Sequence, residues 1–278
     1  MPRRPLAALA LAAAVAAPAA AHAQYVRTGY ANTPMTRGDD NVAPSNLGFG
    51  ANYYGVTTTT AEVCTNGYVI MGNFSPGAVC AFPGTLSAQP PATPNLSGLR
   101  SFYGSLLAPY FSDIRTDFAG APGGAIQLGT SSNYGMASWA ATWDGVRGYA
   151  GGTGVTGSTS TFQLVLSSIG GGNFIMEFNY GTLAWGAEGG IGYTDDGGAT
   201  GTPVLKTPFG TTPNLQPQNS RYCARFVGGQ VASEATNQDC LAAAFTATPE
   251  PSTAGMLAGG LLAVAGIAGV GARRRREA

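Results

Sequence analysis

The chain has 278 residues, with 14 Lys and Arg against 14 Asp and Glu, and it contains 42 glycines. Residues 24–248 alone hold eight basic and twelve acidic residues, so they lack the basic surface that nucleic-acid binding requires. Their length suffices for one large domain or two small ones, and the abundance of glycine favours short strands joined by turns.

Residues 1–23 have the three parts of an export signal. Arg3 and Arg4 precede an apolar run, and Ala21 and Ala23 supply an A-x-A cleavage site. This order predicts a secretory signal peptide that is cleaved after Ala23. The mature chain then begins at Gln24 and enters a compartment in which disulfides can form.

Residues 24–46 are polar and are expected to form an irregular lead-in. From Leu47 onward, aromatic and β-branched runs alternate with turn signals. Asn66-Gly67 is such a signal, because both residues tolerate positive φ. We predict strands at 68–71, 125–128, 137–143, 162–167, 174–180 and 189–193. Several short strands with Gly- and Pro-rich loops between them favour an all-β sandwich.

One predicted strand shows a clear alternation. Its two sets of residues are Phe174, Met176, Phe178 and Tyr180, and Asn173, Ile175, Glu177 and Asn179. Because side chains alternate across a strand, the first set is expected to face the core. Glu177, on the opposite face, is expected to be solvated.

Several short motifs follow one another in a fixed order. They occupy residues 52–55, 64–72, 107–116, 161–166, 173–181 and 190–193, together with Trp143 and Trp185. In this order they resemble the nidogen-like extracellular domain, over residues 47–200. The resemblance implies an all-β, sandwich-like domain with a non-catalytic role in adhesion. Residues 148–160 are longer than the family pattern, so the resemblance does not place them.

The four cysteines, an even number in an exported chain, suggest two disulfides. Three pairings are possible, and we favour Cys64–Cys80 and Cys223–Cys240 because each closes a short local loop. Each bridge can add about 3 kcal/mol by restricting the unfolded chain. A four-cysteine zinc site is the alternative, but the close C-x₂₋₄-C spacing is missing. The second bridge lies in residues 201–248, a Pro- and Gly-rich extension.

Residues 249–278 combine a Pro-Glu-Pro triplet, an uncharged segment at 252–272 and four arginines. A helix of 21 residues at about 1.5 Å per residue can cross a membrane, and the arginines keep its end cytoplasmic. The residues at the two ends of this tail are Pro249, Glu250, Pro251, Arg273, Arg274, Arg275 and Arg276.

This order of elements resembles the PEP-CTERM sorting signal of Gram-negative bacteria. The resemblance implies that exosortase, a membrane-embedded transpeptidase, processes the tail near the triplet. It also implies an inner-membrane anchor before processing and a place at the cell surface or in the exopolysaccharide matrix afterwards. A permanent single-pass anchor is the alternative.

The only histidine is His22, inside the predicted signal peptide. Its removal excludes Ser-His-Asp and Cys-His catalysis and any His-ligated metal site. Carboxylate chemistry remains, because a glycosidase needs only two acids about 5–10 Å apart. The candidates are Asp113, Asp117, Asp144, Glu177 and Glu188. The plainer interpretation of Asp113 and Asp117 is an ion pair with Arg115 or a turn cap.

Calcium is a further metal for which the sequence offers candidates, since it binds carboxylate and carbonyl oxygens. Asp113 with Asp117, and Asp195 with Asp196, could supply them, but neither pair matches the D-x-[DN]-x-[DN]-G loop. A plain turn is the alternative at both places, and no cofactor is expected.

Aromatic side chains offer a binding surface if they are exposed. The residues concerned are Tyr53, Tyr54, Tyr103, Tyr110, Trp139, Trp143, Tyr149 and Trp185. Most are expected in the core, with Tyr149 exposed in a Gly-rich loop.

The sequence therefore predicts an exported, non-catalytic surface protein with a role in adhesion or matrix structure. Its expected partners are exosortase and exopolysaccharide or surface proteins. The alternatives are a carbohydrate-binding module with a row of exposed aromatics, and a hydrolase with two facing carboxylates.

Overall fold

The computed structural model describes residues 25–72, 80, 105–117, 124–132, 135–149, 157, 159–183, 190–194, 205–206, 219–237 and 240. All the elements formed by these residues are strands, in two antiparallel sheets that share one core. The expected all-β, sandwich-like fold is therefore confirmed. The predicted signal peptide at 1–23 and tail at 249–278 lie outside the described residues.

In chain order the strands are β1 (Thr33–Pro34), β2 (Val42–Tyr53), β3 (Val56–Cys64), β4 (Tyr68–Met71), β5 (Leu106–Phe111), β6 (Ile114–Arg115), β7 (Ala125–Ser131), β8 (Ser138–Gly148), β9 (Ser160–Gly170), β10 (Asn173–Tyr180), β11 (Gly190–Thr194), β12 (Leu205–Lys206), β13 (Ser220–Val227) and β14 (Gln230–Thr236). The larger sheet has the order β1-β7-β8-β9-β10-β13-β14, with β6 beside β8. The smaller sheet has the order β12-β11-β5-β4-β3-β2.

The six predicted strands coincide with or overlap β4, β7, β8, β9, β10 and β11. None of the described residues forms a helix that is long and apolar enough to cross a membrane. The span predicted at 252–272 is not among these residues.

The β domain is larger than the expected range of 47–200. β13 pairs with β10 from Phe174↔Phe226 to Tyr180↔Ser220, and β14 follows it at the edge of the larger sheet. Part of the segment 201–248 therefore belongs to the sandwich, because the apolar face of β13 completes the core. The lead-in at 24–46 also contributes, through β1 and the buried side chain of Met35.

Aromatic side chains fill the space between the sheets, as expected for most of them. Trp143 stacks on Phe162 with ring centroids 5.0 Å apart, and its Nε1 donates to the carbonyl of Thr65 at 3.1 Å. Trp139 donates in the same way to Ser45 Oγ at 2.8 Å. Because a buried indole N–H needs an acceptor, both bonds fix the smaller sheet and the turn after β3 against the larger sheet.

The predicted turn at Asn66-Gly67 is present and fully buried. Asn66 Nδ2 donates to Asp40 Oδ1 at 2.7 Å and to the carbonyl of Cys80 at 3.0 Å, and its Oδ1 accepts from the backbone of Ile114 at 2.9 Å. Gly67 has φ +78°, a conformation that L residues other than glycine rarely adopt. This turn therefore joins three separate segments.

Both favoured disulfides form. The Cα atoms are 5.4 Å apart in Cys64–Cys80 and 6.0 Å apart in Cys223–Cys240. The first bridge holds Cys80 beside the buried turn, and the second ties residue 240 to β13.

A hydroxyl pair joins the two sheets near one edge. Tyr193 of β11 and Tyr222 of β13 have their hydroxyl oxygens 3.1 Å apart, and both bond to Glu234 Oε1 of β14. Burial, followed by these hydrogen bonds, raises the pKa of Tyr193. The tyrosines therefore stay neutral and act as donors.

Gly67→Ala is expected to destabilise the fold far more than Gly55→Ala. Both glycines have positive φ, but a Cβ at Gly67 would collide with the carbonyl oxygen of Tyr110, whereas a Cβ at Gly55 has open space. We expect a loss of at least about 3 kcal/mol for Gly67→Ala and about 1–2 kcal/mol for Gly55→Ala, measured by urea denaturation. Equal losses would mean that the close approach is unimportant.

Candidate functional site

Glu177 is fully buried, so the expectation that it is solvated is wrong. Arg27 binds it with two parallel bonds, Nε to Oε2 at 2.6 Å and Nη2 to Oε1 at 2.9 Å. The alternation in β10 is as predicted, but its second face is covered as well. Residues 25–31, here called the N-terminal strap, lie across the outer face of the larger sheet, the face turned away from the smaller sheet.

A second arginine and two amides complete this network. Arg221 Nε donates to Asn179 Oδ1 at 2.6 Å and lies 3.6 Å from Glu177 Oε2. Gln163 bonds to both backbone groups of Arg27, each at 3.0 Å. The sheet therefore supplies the side chains that bind the strap. Among them, the carboxylate of Glu177 offsets the positive charge of Arg27.

The rest of the strap follows the same face. Arg221 Nη2 donates to the carbonyl of Tyr25 at 3.0 Å, and its guanidinium carbon lies 5.3 Å from the centre of the Tyr25 ring. Tyr30 packs against Ala140 and Val165 in a small apolar cluster. No sequence motif indicated these contacts, because each joins residues far apart in the chain.

Four carboxylates and one arginine meet at a corner of the sandwich, here called the acidic corner. They are Asp39, Asp40, Asp113, Arg115 and Asp117. Arg115 Nε donates to Asp117 Oδ1 at 2.7 Å, and Nη1 lies 3.8 Å from Asp39 Oδ2. β6 holds this arrangement in place by pairing with β8. The expected ion pair of Arg115 is therefore with Asp117.

The corner shifts the pKa of its carboxyls in opposite directions. Burial first, and then the charges of Asp39 and Asp40, raise the pKa of Asp113 to about 6, against the opposing effect of Arg115. The hydrogen bond from Arg115 lowers the pKa of Asp117. A carboxyl that holds its proton near neutral pH is the kind of group that acid–base chemistry uses, although structural clusters show it too.

The candidate acids of the sequence are not all brought together. Asp113 and Asp117 lie at the acidic corner, Glu177 lies under the strap, and Asp144 is exposed on β8, where it accepts from Thr161 Oγ1 at 3.3 Å. Glu188, Asp195 and Asp196 lie outside the described residues. Among the residues that the structure describes, no three acidic, Cys or His side chains are placed to hold a metal ion.

The aromatic candidates are mostly core residues. Tyr53, Tyr110, Trp139 and Trp143 are buried, and Tyr149 is half-buried rather than exposed. Tyr103 and Trp185 lie outside the described residues. In the described part of the chain, the large exposed apolar side chains are valines and include no aromatic residue. A row of stacking aromatics is therefore absent from that part of the surface.

Arg27→Met should destabilise the fold by about 2–3 kcal/mol, because it leaves the buried carboxylate of Glu177 with Arg221 alone. Arg37→Met is the matched control, since Arg37 lies in the same lead-in and is exposed. Its effect should stay within about 0.5 kcal/mol. Adding Glu177→Gln to Arg27→Met should recover part of the loss. Denaturation that gives equal losses for the two single variants would contradict the role of the strap.

The acidic corner predicts a pH dependence of stability. The folded state holds the proton of Asp113 more tightly than the unfolded state, whose pKa is near 3.8, so the contribution of Asp113 falls as pH rises from about 4 to 6. Asp113→Asn should therefore raise the free energy of unfolding at pH 7 by about 1 kcal/mol after solvent screening. Asp117→Asn is the control and should give a small loss, because the pKa of Asp117 is lowered. Thermal unfolding from pH 4 to 7 measures both effects, and a destabilised Asp113→Asn would contradict the assignment.

The comparisons with known proteins identify one family. The family model described as NIDO related matches residues 17–225, which is more than half of the chain. No match was found among curated proteins or among solved structures. The matched range reaches into β13, in agreement with the place of that strand in the larger sheet. The nidogen-like resemblance is confirmed, and the chain belongs to the NIDO-related family.

Proposed function

We propose that the chain is an exported, non-catalytic protein whose NIDO-related domain serves in adhesion at the cell surface or in the exopolysaccharide matrix. The observation that carries the proposal is a sandwich of this family closed by two disulfides, Cys64–Cys80 and Cys223–Cys240. Such bridges persist in oxidising compartments outside the cytoplasm.

The N-terminal strap supports removal of the signal peptide. Its first described residue, Tyr25, follows the predicted cut after Ala23 by two positions, and its backbone carbonyl is already bonded to Arg221. Cleavage after Ala23 would leave residues 25–31 and all their described contacts in the mature chain.

The tail supplies the sorting part of the proposal. Its Pro-Glu-Pro triplet, uncharged segment and arginines fit a protein that is held in the inner membrane and then processed near Glu250. An exosortase-type transpeptidase is the proposed partner. Exopolysaccharide or surface proteins are the proposed partners of the processed form.

The non-catalytic role is supported by what the described carboxylates do. Glu177 forms an ion pair with Arg27, and Asp117 forms an ion pair with Arg115. A carboxylate hydrolase is the second candidate, and the raised pKa of Asp113 is the one observation in its favour. Asp113→Asn separates the two, since it would abolish hydrolysis and leave adhesion intact.

Intact-mass analysis of the protein from fractions of its host tests the proposal. We expect the surface or medium form to lack residues 1–23 and the residues that follow the triplet. A chain ending at residue 248 serves as the control. It carries no sorting signal, so it should cross the inner membrane without being anchored there. Recovery of a membrane form that retains residues 252–278 as the only product would contradict processing.

Gene deletion tests the adhesive role separately. Cells without the protein should show reduced aggregation and biofilm mass, and the full-length gene should restore both. Unchanged aggregation, biofilm and surface retention would contradict a role in adhesion or matrix structure.

A further inference from the structure

A pocket of about 490 Å³ opens on the outer face of the larger sheet. It lies beside the turn ends of β9, β10 and β13, and its Arg225 pairs with Ile175, two residues before Glu177 in β10. The residues that matter to its chemistry are Met136, Ser168, Ile169, Asn173, Arg225 and Val227. Its volume lies in the range of sites that hold small organic molecules.

Two arginines on the same face of β13 have different surroundings. Arg221 is bonded to Asn179 and to the strap. Arg225, four residues further along, has a buried Nε that lacks a hydrogen-bond partner in the structure, and none of the described carboxylates pairs with it. A buried N–H without an acceptor is unfavourable, and a guanidinium fork suits a carboxylate. The strap thus accepts a hydrogen bond from Arg221, whereas Arg225 lines the pocket.

The other polar side chains of the pocket also offer hydrogens. Asn173 Oδ1 accepts from the backbone of Gly228 at 2.8 Å, which fixes the amide orientation and leaves its NH₂ group to donate. Ser168 Oγ accepts from the backbone of Gly170 at 3.3 Å and keeps its hydroxyl hydrogen. Among the described residues, the lining includes no carboxylate. These groups together call for a ligand that carries a negative charge and several acceptor oxygens.

The remaining wall is aliphatic and rigidly supported. Met136 and Ile169 belong to an apolar cluster with Ile175, Cys223 and Cys240, so the second disulfide lies directly behind the pocket. Val227 is 39 % exposed at the rim. The ligand should therefore present C–H groups beside its charged group.

We propose that this pocket binds the carboxylate of a sugar acid, such as one hexuronate unit of an acidic polysaccharide. The carboxylate would lie on Arg225, ring and hydroxyl oxygens would accept from Asn173 and Ser168, and the C–H face would contact Met136 and Ile169. A peptide fits less well, because its backbone brings an N–H donor at every residue to a lining whose side chains also donate. The inference rests on the proposed matrix function for its setting and names the ligand class of that function.

Calorimetric titration of the exported protein with sodium glucuronate tests the site, with glucose and sodium acetate as matched probes. We expect glucuronate to bind at least tenfold more tightly than either probe. Arg225→Gln should weaken binding at least tenfold, whereas Arg37→Gln, which alters an exposed arginine outside the pocket, should not change it. Equal binding by wild type and Arg225→Gln would overturn the proposal, as would tighter binding of a short peptide with a free terminal carboxylate.

Two further variants guard against a folding defect. Met136→Glu keeps Arg225 and places a competing carboxylate at the half-buried wall, so it should also abolish glucuronate binding. Arg225→Met should raise the melting temperature while removing binding, because the unpartnered N–H is gone. An arginine with a purely structural role would give the opposite change in melting temperature. Unchanged aggregation and biofilm after gene deletion, together with glucuronate binding by the purified protein, would count against the matrix function and not against the pocket.

Discussion

A carboxylate buried on the outer face of a β-sheet determines how this protein is put together. A buried carboxylate requires opposite charge close to it, and Arg27 and Arg221 provide that charge on two sides of Glu177. Since Arg27 belongs to residues 25–31, this strap has to lie on the sheet. The larger sheet is consequently covered on both faces where the strap crosses it, by the smaller sheet and by residues 25–31. Arg225 lies on the same outer face and lines the pocket.

Sequence patterns located six of the fourteen described strands, because alternation and turn chemistry are local properties. Residues 174–180 showed which side chains face the core, and Asn66-Gly67 marked a turn. The two disulfides were favoured correctly because each closes a short loop. The expectation that Glu177 is solvated was wrong for a physical reason. An alternation of period two shows the direction in which a side chain points, but it does not show what covers that side chain. The strap, which covers it, carries no pattern of its own.

The functional surface was predictable only in part. Asp113 and Asp117 are close in sequence, so their shared corner was expected, but Asp39 and Asp40 reach it through tertiary structure alone. β13 was assigned to an extension because it follows a long Pro- and Gly-rich segment, although its apolar face belongs to the core. Arg225 went unnoticed for the same reason. Its significance depends on its Nε having no hydrogen-bond partner among the described residues, and a sequence does not show which groups lack a partner in the fold.

The bond between Arg27 and Glu177 also imposes an order on folding. The two residues are 150 positions apart, so they form one of the longer-range contacts in the domain. In a chain synthesised from its N-terminus, Arg27 is present long before β10 has been made. During that interval the arginine remains hydrated and the strap has no sheet to bind. Attachment of the strap is therefore a late step, and its completion shows that the strands on which it lies have already formed.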